Sequence, residues 1–217
     1  MAEDQQSGIE TRSFLTCVTE MAQLLGVGDV TVEPKGRHAR HLAHAVRKPL
    51  LERASLPEEW FAPLMAAAVY DPDPSFCRWF VEPAVYAFGR RRVMAALVDC
   101  LRVGTDAEQA GAVRAWYSAH VPLHADRSPA YGPGGVRDPA LDETQDIKTA
   151  WLEASMQVFA EATDLQIRRH VLLDLPTSRA AYPPHLHKLL ESTFASARAH
   201  PDPYIRRWAA AADHEGV

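Results

Sequence analysis

The sequence predicts an all-α chain built as a stack of helix pairs, an α-solenoid, and three observations carry that expectation. A short phrase recurs as Asp73-Pro74-Ser75-Phe76-Cys77-Arg78-Trp79, Asp164-Leu165-Gln166-Ile167-Arg168-Arg169-His170 and Asp202-Pro203-Tyr204-Ile205-Arg206-Arg207-Trp208. Each copy lies between Ala- and Leu-rich stretches whose apolar residues recur at helical spacing. No stretch alternates as a strand should, and Val30 to Val32 is too short to count. A phrase repeated in register makes similar two-helix units that stack side by side rather than close on themselves.

Each element follows from local chemistry. Residues 1–9 are polar and read as a disordered tail, and residues 10–55 read as an N-terminal helical cap. Within the cap, Phe14, Val18, Met21 and Leu25 share a helix face, and Gly26 and Gly28 supply the stop. Asp29 to Gly36 connects to a second, basic and histidine-rich helix from Arg37 to about Ala54. Pro57, Glu58 and Glu59 suit a helix start, and that helix ends at Asp71-Pro72. Asp73 or Ser75 caps the next, with Pro74 in its first turn and Gly89 at its end.

Arg90 to Val103 is amphipathic and closes at Gly104, and Asp106 caps a helix reaching His120. Pro122 to Pro139, centred on Tyr131-Gly132-Pro133-Gly134-Gly135, is the one long irregular insertion; such segments are often functional. Helices resume over 141–162, 164–175, 183–200 and 202–212. Residues 56–214 thus form about four helix pairs, continuous with the cap as a single domain.

Bulk properties bound the rest. A chain of 217 residues with 47% hydrophobic side chains can bury a core, which excludes disorder for most of its length. A formal charge of -5 argues against a dedicated nucleic-acid binder. Nineteen arginines against four lysines is a bias of GC-rich bacterial genomes. Cys17, Cys77 and Cys100 are odd in number and lie on apolar-periodic stretches, so they read as buried free thiols of a reducing compartment. The polar N-terminus has no apolar run and reads as lacking a signal peptide, and no run approaches the ~20 apolar residues of a membrane span; the expected location is the cytoplasm.

The repeated phrase explains itself physically. Its Asp accepts hydrogen bonds from the free amides opening a helix, and its Pro needs no amide partner there. Its aliphatic residue enters the core. The Arg that follows (Arg114, Arg168 or Arg206) reaches a neighbouring Asp or helix-end carbonyls, so these three are assigned to structure. Paired helices joined in this way resemble HEAT repeats. His200-Pro201-Asp202-Pro203-Tyr204-Ile205-Arg206-Arg207-Trp208-Ala209 is the nearest match, Asp164 to Val171 a good one, and Asp71 to Phe80 keeps the turn with Cys77 in place of Arg. The Asp106 to Trp116 copy is looser. The resemblance covers about Pro57 to Ala212 and implies a concave surface formed by the second helix of each pair; it implies little about activity.

Taking the aliphatic position as zero, about 100 degrees per residue puts positions zero, four and eight on the buried arc, with position two pointing away and position three at the border. Position two holds Arg78, Ala115, Arg169 and Arg207; position three holds Trp79, Trp116, His170 and Trp208. A ladder of rings beside guanidinium groups suits phosphate, carboxylate, nucleobase or an acidic peptide. The same residues also serve as gap-filling packing between helices. A second cluster, Lys35, Arg37, His38, Arg40, His41, His44, Arg47 and Lys48, places Arg37, His41, His44 and Lys48 on one helix face. It is either an anion patch or a solvated face.

No catalytic or metal motif appears. The ten histidines have poor ligand spacing: Pro122 separates His120 from His124, His185 and His187 point apart, and His41 and His44, three apart, could form a pair but lack an acidic third ligand nearby. No Gly-x-Ser-x-Gly, P-loop or dinucleotide fingerprint occurs, so no metal or cofactor is expected. Glu82, three residues beyond Trp79, is the best acid for that surface. The resulting expectation is a non-catalytic binding or scaffold module that holds a protein segment or small acidic ligand on its concave face. Two alternatives stand beside it. One is a nucleic-acid-binding protein similar to the HEAT-like alkylpurine DNA glycosylases, against which stand the net charge and the lack of a Trp-x-x-x-Asp pattern. The other is a small-molecule enzyme with a pocket under the 122–139 insertion, containing Glu82 or His170.

Overall fold

Caps and turn residues set where each helix begins and ends, and the computed structural model, which describes residues 12–27, 35–131 and 137–214, follows them closely. The described residues hold ten α-helices and no strand. They are α1 (Phe14–Leu25), α2 (Lys35–Leu51), α3 (Phe61–Tyr70), α4 (Arg78–Phe88), α5 (Arg90–Val103), α6 (Asp106–Ser118), α7 (Gln145–Glu161), α8 (Leu165–Leu173), α9 (His187–Ala199) and α10 (Pro203–His214). The expected tail at 1–9, Gly28, the connector from 29 to 34 and the Gly132 to Gly135 centre of the insertion lie outside the described residues.

Local chemistry accounts for the ends. Ser13 caps α1 by accepting from Thr16 N, and Gly26 closes it in the left-handed region at φ 66°. The Asp73-Pro74 phrase forms a turn, with Asp73 accepting from Ser75 N at 2.9 Å, so α4 starts only at Arg78. The cap of α6 is Thr105, not Asp106: its hydroxyl accepts from Glu108 N while the Glu108 carboxylate accepts from Thr105 N at 2.8 Å. That capping box satisfies two amides where a lone Asp106 would satisfy one. Asp164 and Asp202 cap α8 and α10 as the phrase requires.

The helices pack as pairs: α1 on α2, α3 on α4, α5 on α6, α7 on α8 and α9 on α10. Successive pairs meet in two rows. In one, α1 meets α3, α5 meets α7 and α7 meets α9; in the other, α2, α4, α6, α8 and α10 meet in order. This all-α packing fits an α-solenoid. The residues expected to form a cap, α1 and α2, join α3 and α4 through the same two-row contacts. One apolar cluster runs from Cys17 on α1 to Ala209 on α10. Leu64, Leu97 and Ile205 in it are completely buried, each such side chain stabilising the fold by about 1.5–3 kcal/mol. No helix among the described residues is long and apolar enough to cross a membrane.

One step departs from the pattern: α3 packs closely on α6 as well as on α4. Gly111 permits it, since a Cβ there would lie 2.0 Å from the Val69 carbonyl oxygen. Gly111→Ala removes a poor helix former, worth about 1 kcal/mol by propensity alone. The clash is with backbone and cannot be relieved by a rotamer, so the expected net result is a loss of about 3 kcal/mol, read from urea denaturation.

The irregular segment is tied down at both described ends. Arg137 donates to the Tyr86 and Val85 carbonyls at 2.7 and 2.6 Å and pairs with Asp142 at 2.8 Å. The Tyr86 hydroxyl donates to the His124 carbonyl at 3.2 Å and accepts from His124 N at 2.9 Å. Gly89, at φ 90°, leaves no room for a Cβ beside Leu141. These contacts seat the described part of the segment against the end of α4.

Candidate binding faces

The arginines that follow the aliphatic position bind main-chain carbonyls. Arg114 donates to Asp71 O at 3.3 Å and Val69 O at 3.4 Å, reaching the preceding pair. Arg168 donates to Ala162 O at 2.6 Å, and Arg206 to His200 O and Pro201 O at 2.8 and 2.6 Å, each closing its own helix pair.

At the outward position the four residues part company. Arg207 is exposed, and its Nε donates back to Pro203 O at 3.3 Å. Arg78 is exposed and pairs with Glu82 at 3.2 Å. Arg169 is half-buried and bound to Asp202, the cap of α10, through Nε at 3.3 Å and Nη2 at 2.5 Å. Ala115 is fully buried rather than outward, because α6 is packed by α3, α4, α5 and α8 and has no single buried arc. Tyr117, which that register turned inward, is 82% exposed.

The four rings sit on successive helices of one row, and each turns to its own partners. Trp79 packs edge-on against Phe76 at 4.6 Å and His44 at 5.7 Å. Trp116 is buried and stacks flat on Trp151 of α7, with centroids 3.9 Å apart and planes 4° apart. Trp208 stacks on Phe194 at 5.0 Å, and its Nε1 donates to Leu175 O at 3.3 Å. His170 is half-buried, with a buried Nδ1 that has no hydrogen-bond partner. Packing therefore engages Trp116 and Trp208 heavily and Trp79 on one side.

Glu82 is not on the outward surface, where the periodicity placed it. It is 1% exposed, held by Arg78 from its own helix and by Arg127 from the irregular segment at 2.5 Å. A carboxylate this enclosed between two guanidinium groups is an anchor for that segment.

The basic helix α2 divides in two. Arg40 turns inward and grips the fully buried Asp71 with two bonds, at 2.9 and 2.6 Å, its guanidinium 4.3 Å from the Phe76 ring. His41, His44 and Lys48 are exposed, and Lys48 lies 3.5 Å from Glu52. Arg47 lies over the Trp79 ring at 5.5 Å, and no carboxylate among the described residues pairs with it. The side chain of Arg37 is outside the described part. The basic cluster and the first ring of the ladder, read separately in the sequence, thus form one patch across α2 and α4.

Two cavities flank His120, just beyond the end of α6. One, of about 170 Å³, is lined by Arg78, Tyr117, Ser118, His120, Val121 and Pro122. The other, of about 260 Å³, has walls that include Trp116, His120, Lys148, Trp151 and Asp174. Neither includes Glu82 or His170. Burial pushes the Asp174 carboxyl up to about 6, and it holds His120 below its ordinary value, with the Lys148 and Arg90 charges adding to the effect. Trp151, Lys148 and Asp174 escaped the sequence reading because none belongs to the repeated phrase. Asp174 does carry a readable signal, an acid just past the C-terminus of a helix, where the dipole disfavours it.

Burial also raises the thiols of Cys17, Cys77 and Cys100, which are free. Among the described residues, no group of three or more His, Cys, Asp and Glu side chains is placed to hold a metal ion. Comparison of the chain with known protein families, curated proteins and solved structures returns no match.

Proposed function

We propose that this chain is a non-catalytic binding module, a HEAT-like α-solenoid of about four repeats behind the α1–α2 pair, that holds an acidic protein segment on the outward side of its second helices. The reading rests on Arg47. A half-buried guanidinium lying on an indole face, with no carboxylate partner among the described residues, is prepared to accept one from a partner. Charge placement supports the same partner. Helix α2 carries Lys35, Arg37, Arg40, Arg47 and Lys48 and no acid, in a chain whose formal charge is -5. Farther along the row, Tyr117 on α6 and Leu173 on α8 are 82% and 64% exposed, apolar contacts for a segment that leaves the basic end.

The test is fluorescence anisotropy with a labelled peptide alternating Glu and Leu, against a Lys-Leu peptide and duplex DNA. The expected result is binding of the acidic peptide that weakens with salt. Replacing Arg47 and Lys48 together by Ala weakens it about tenfold or more, as loss of charge-assisted hydrogen bonds does. Tighter binding of the duplex, with a steep fall in salt, would move the assignment to nucleic acid. No binding of either probe rejects the patch as a recognition surface.

A further inference from the structure

We propose that the cavity between α6, α7 and the α8–α9 connection is a second, separate binding site, for a small zwitterion of the amino-acid class, with Asp174 facing its ammonium group and Lys148 its carboxylate. One wall of the cavity carries a carboxylate without a protein partner. Asp174 makes no hydrogen bond or ion pair among the described residues, although it is largely withdrawn from water. Lys148 lines the same space from its exposed rim and pairs with no carboxylate among the described residues, Asp174 included. A cavity lined by a carboxylate without a partner and by a lysine that does not pair with it matches a ligand that brings both complements.

Size and shape narrow the class. At about 260 Å³ the space falls below the roughly 300–1,000 Å³ of pockets for drug-sized ligands, so the occupant is small. The Trp116–Trp151 stack, Leu152 and Pro176 give it an apolar wall for a side chain. An amine alone would leave Lys148 without a counter-charge and add a second positive group to the cavity. A carboxylate alone would meet Asp174. The carboxyl group of Asp174 stands at the C-terminal end of α8, where the helix dipole also opposes a negative charge, and a ligand ammonium offsets both costs.

The charged and titratable groups sharing the cavity with Asp174 are Lys148 from α7 and His120 from the end of α6. Because the Asp174 carboxyl titrates near 6, binding is present at pH 7.5 and falls as pH is lowered toward 5.

This site shares no residue with the α2–α4 patch, and the proposal stands or falls without it. The experiment is calorimetric titration of the whole chain with each standard L-amino acid, followed by one-charge analogues of the best binder, its decarboxylated amine and its deaminated acid. The expected result is that one or a few amino acids bind, that both analogues bind about tenfold more weakly or worse, and that Asp174→Asn and Lys148→Met each weaken binding by about tenfold. The melting temperature of each variant is recorded alongside, so a failure to fold is distinguished from a failure to bind; Lys148 is exposed, and its variant keeps the fold. Absence of binding by every amino acid at millimolar concentration overturns the proposal. So does equal affinity for either analogue, or an affinity indifferent to both substitutions.

Discussion

Arg40→Ala is expected to destabilise the protein by about 3–5 kcal/mol, the loss that follows when one partner of a buried ion pair is removed. Asp71 is fully buried, and its carboxylate accepts both Arg40 nitrogens as well as the amide of Asp73 at 3.0 Å. Its carbonyl simultaneously accepts from Arg114 of α6. Removing Arg40 strands a charge at the point where α2, the end of α3 and α6 converge. Urea denaturation measures the loss. The paired change Arg40→Met with Asp71→Leu, which takes out both charges, is expected to recover most of it, whereas Arg40→Ala alone is not. A loss smaller than about 1 kcal/mol would show that water reaches Asp71. The result also matters for reading binding data: Arg40 belongs to the basic helix, and its removal acts through the fold.

The second large effect is expected at the indole stack. Trp151→Ala should cost about 3–5 kcal/mol, the range for truncating a buried Trp, and Trp116→Ala a similar amount. Trp151 is 1% exposed and Trp116 5%. No hydrogen bond from the Trp151 indole is lost, so the cost is packing and cavity alone. Because the rings lie parallel at 3.9 Å, the two changes should not add: the double variant should fall short of the sum by about 1 kcal/mol, the share that belongs to the pair itself. Full additivity in a double-mutant cycle would mean that the rings fill space independently.

What the sequence made legible was local. Helix α5 occupies Arg90–Val103 because Gly89 and Gly104 bracket an amphipathic run, and both glycines are visible in the text. The Thr105-Asp106-Ala107-Glu108 capping box was visible too, and choosing Asp106 overlooked the Glu three residues after Thr105. The carbonyl-seeking arginines were readable because their partners lie a few residues away or one pair back. The outward register failed on α6, where a helix enclosed by four neighbours has little free surface for periodicity to mark. Farther-reaching contacts were out of reach: Arg40 with Asp71, Glu82 with Arg127 and Trp116 with Trp151 are separated by 31 to 45 residues and meet only once the stack has formed. The candidate faces are made largely of such meetings, which no local pattern in the sequence marks.

The irregular segment has a mechanical meaning for a protein of this kind. Stacks of near-independent units tend to come apart unit by unit, since each touches only the next. Here Arg90, the first residue of α5, donates to Ala119 O and to Val121 O at 2.7 Å, while its own amide donates to Asp142 at 3.1 Å. Arg137 meanwhile holds the end of α4, and Arg127 holds its middle through Glu82. The segment acts as a splint across the joint between the second and third pairs. Fraying that starts at either terminus is expected to stop at that seam, which opens only when several guanidinium groups let go together, and hydrogen exchange should show the centre of the array opening as one block.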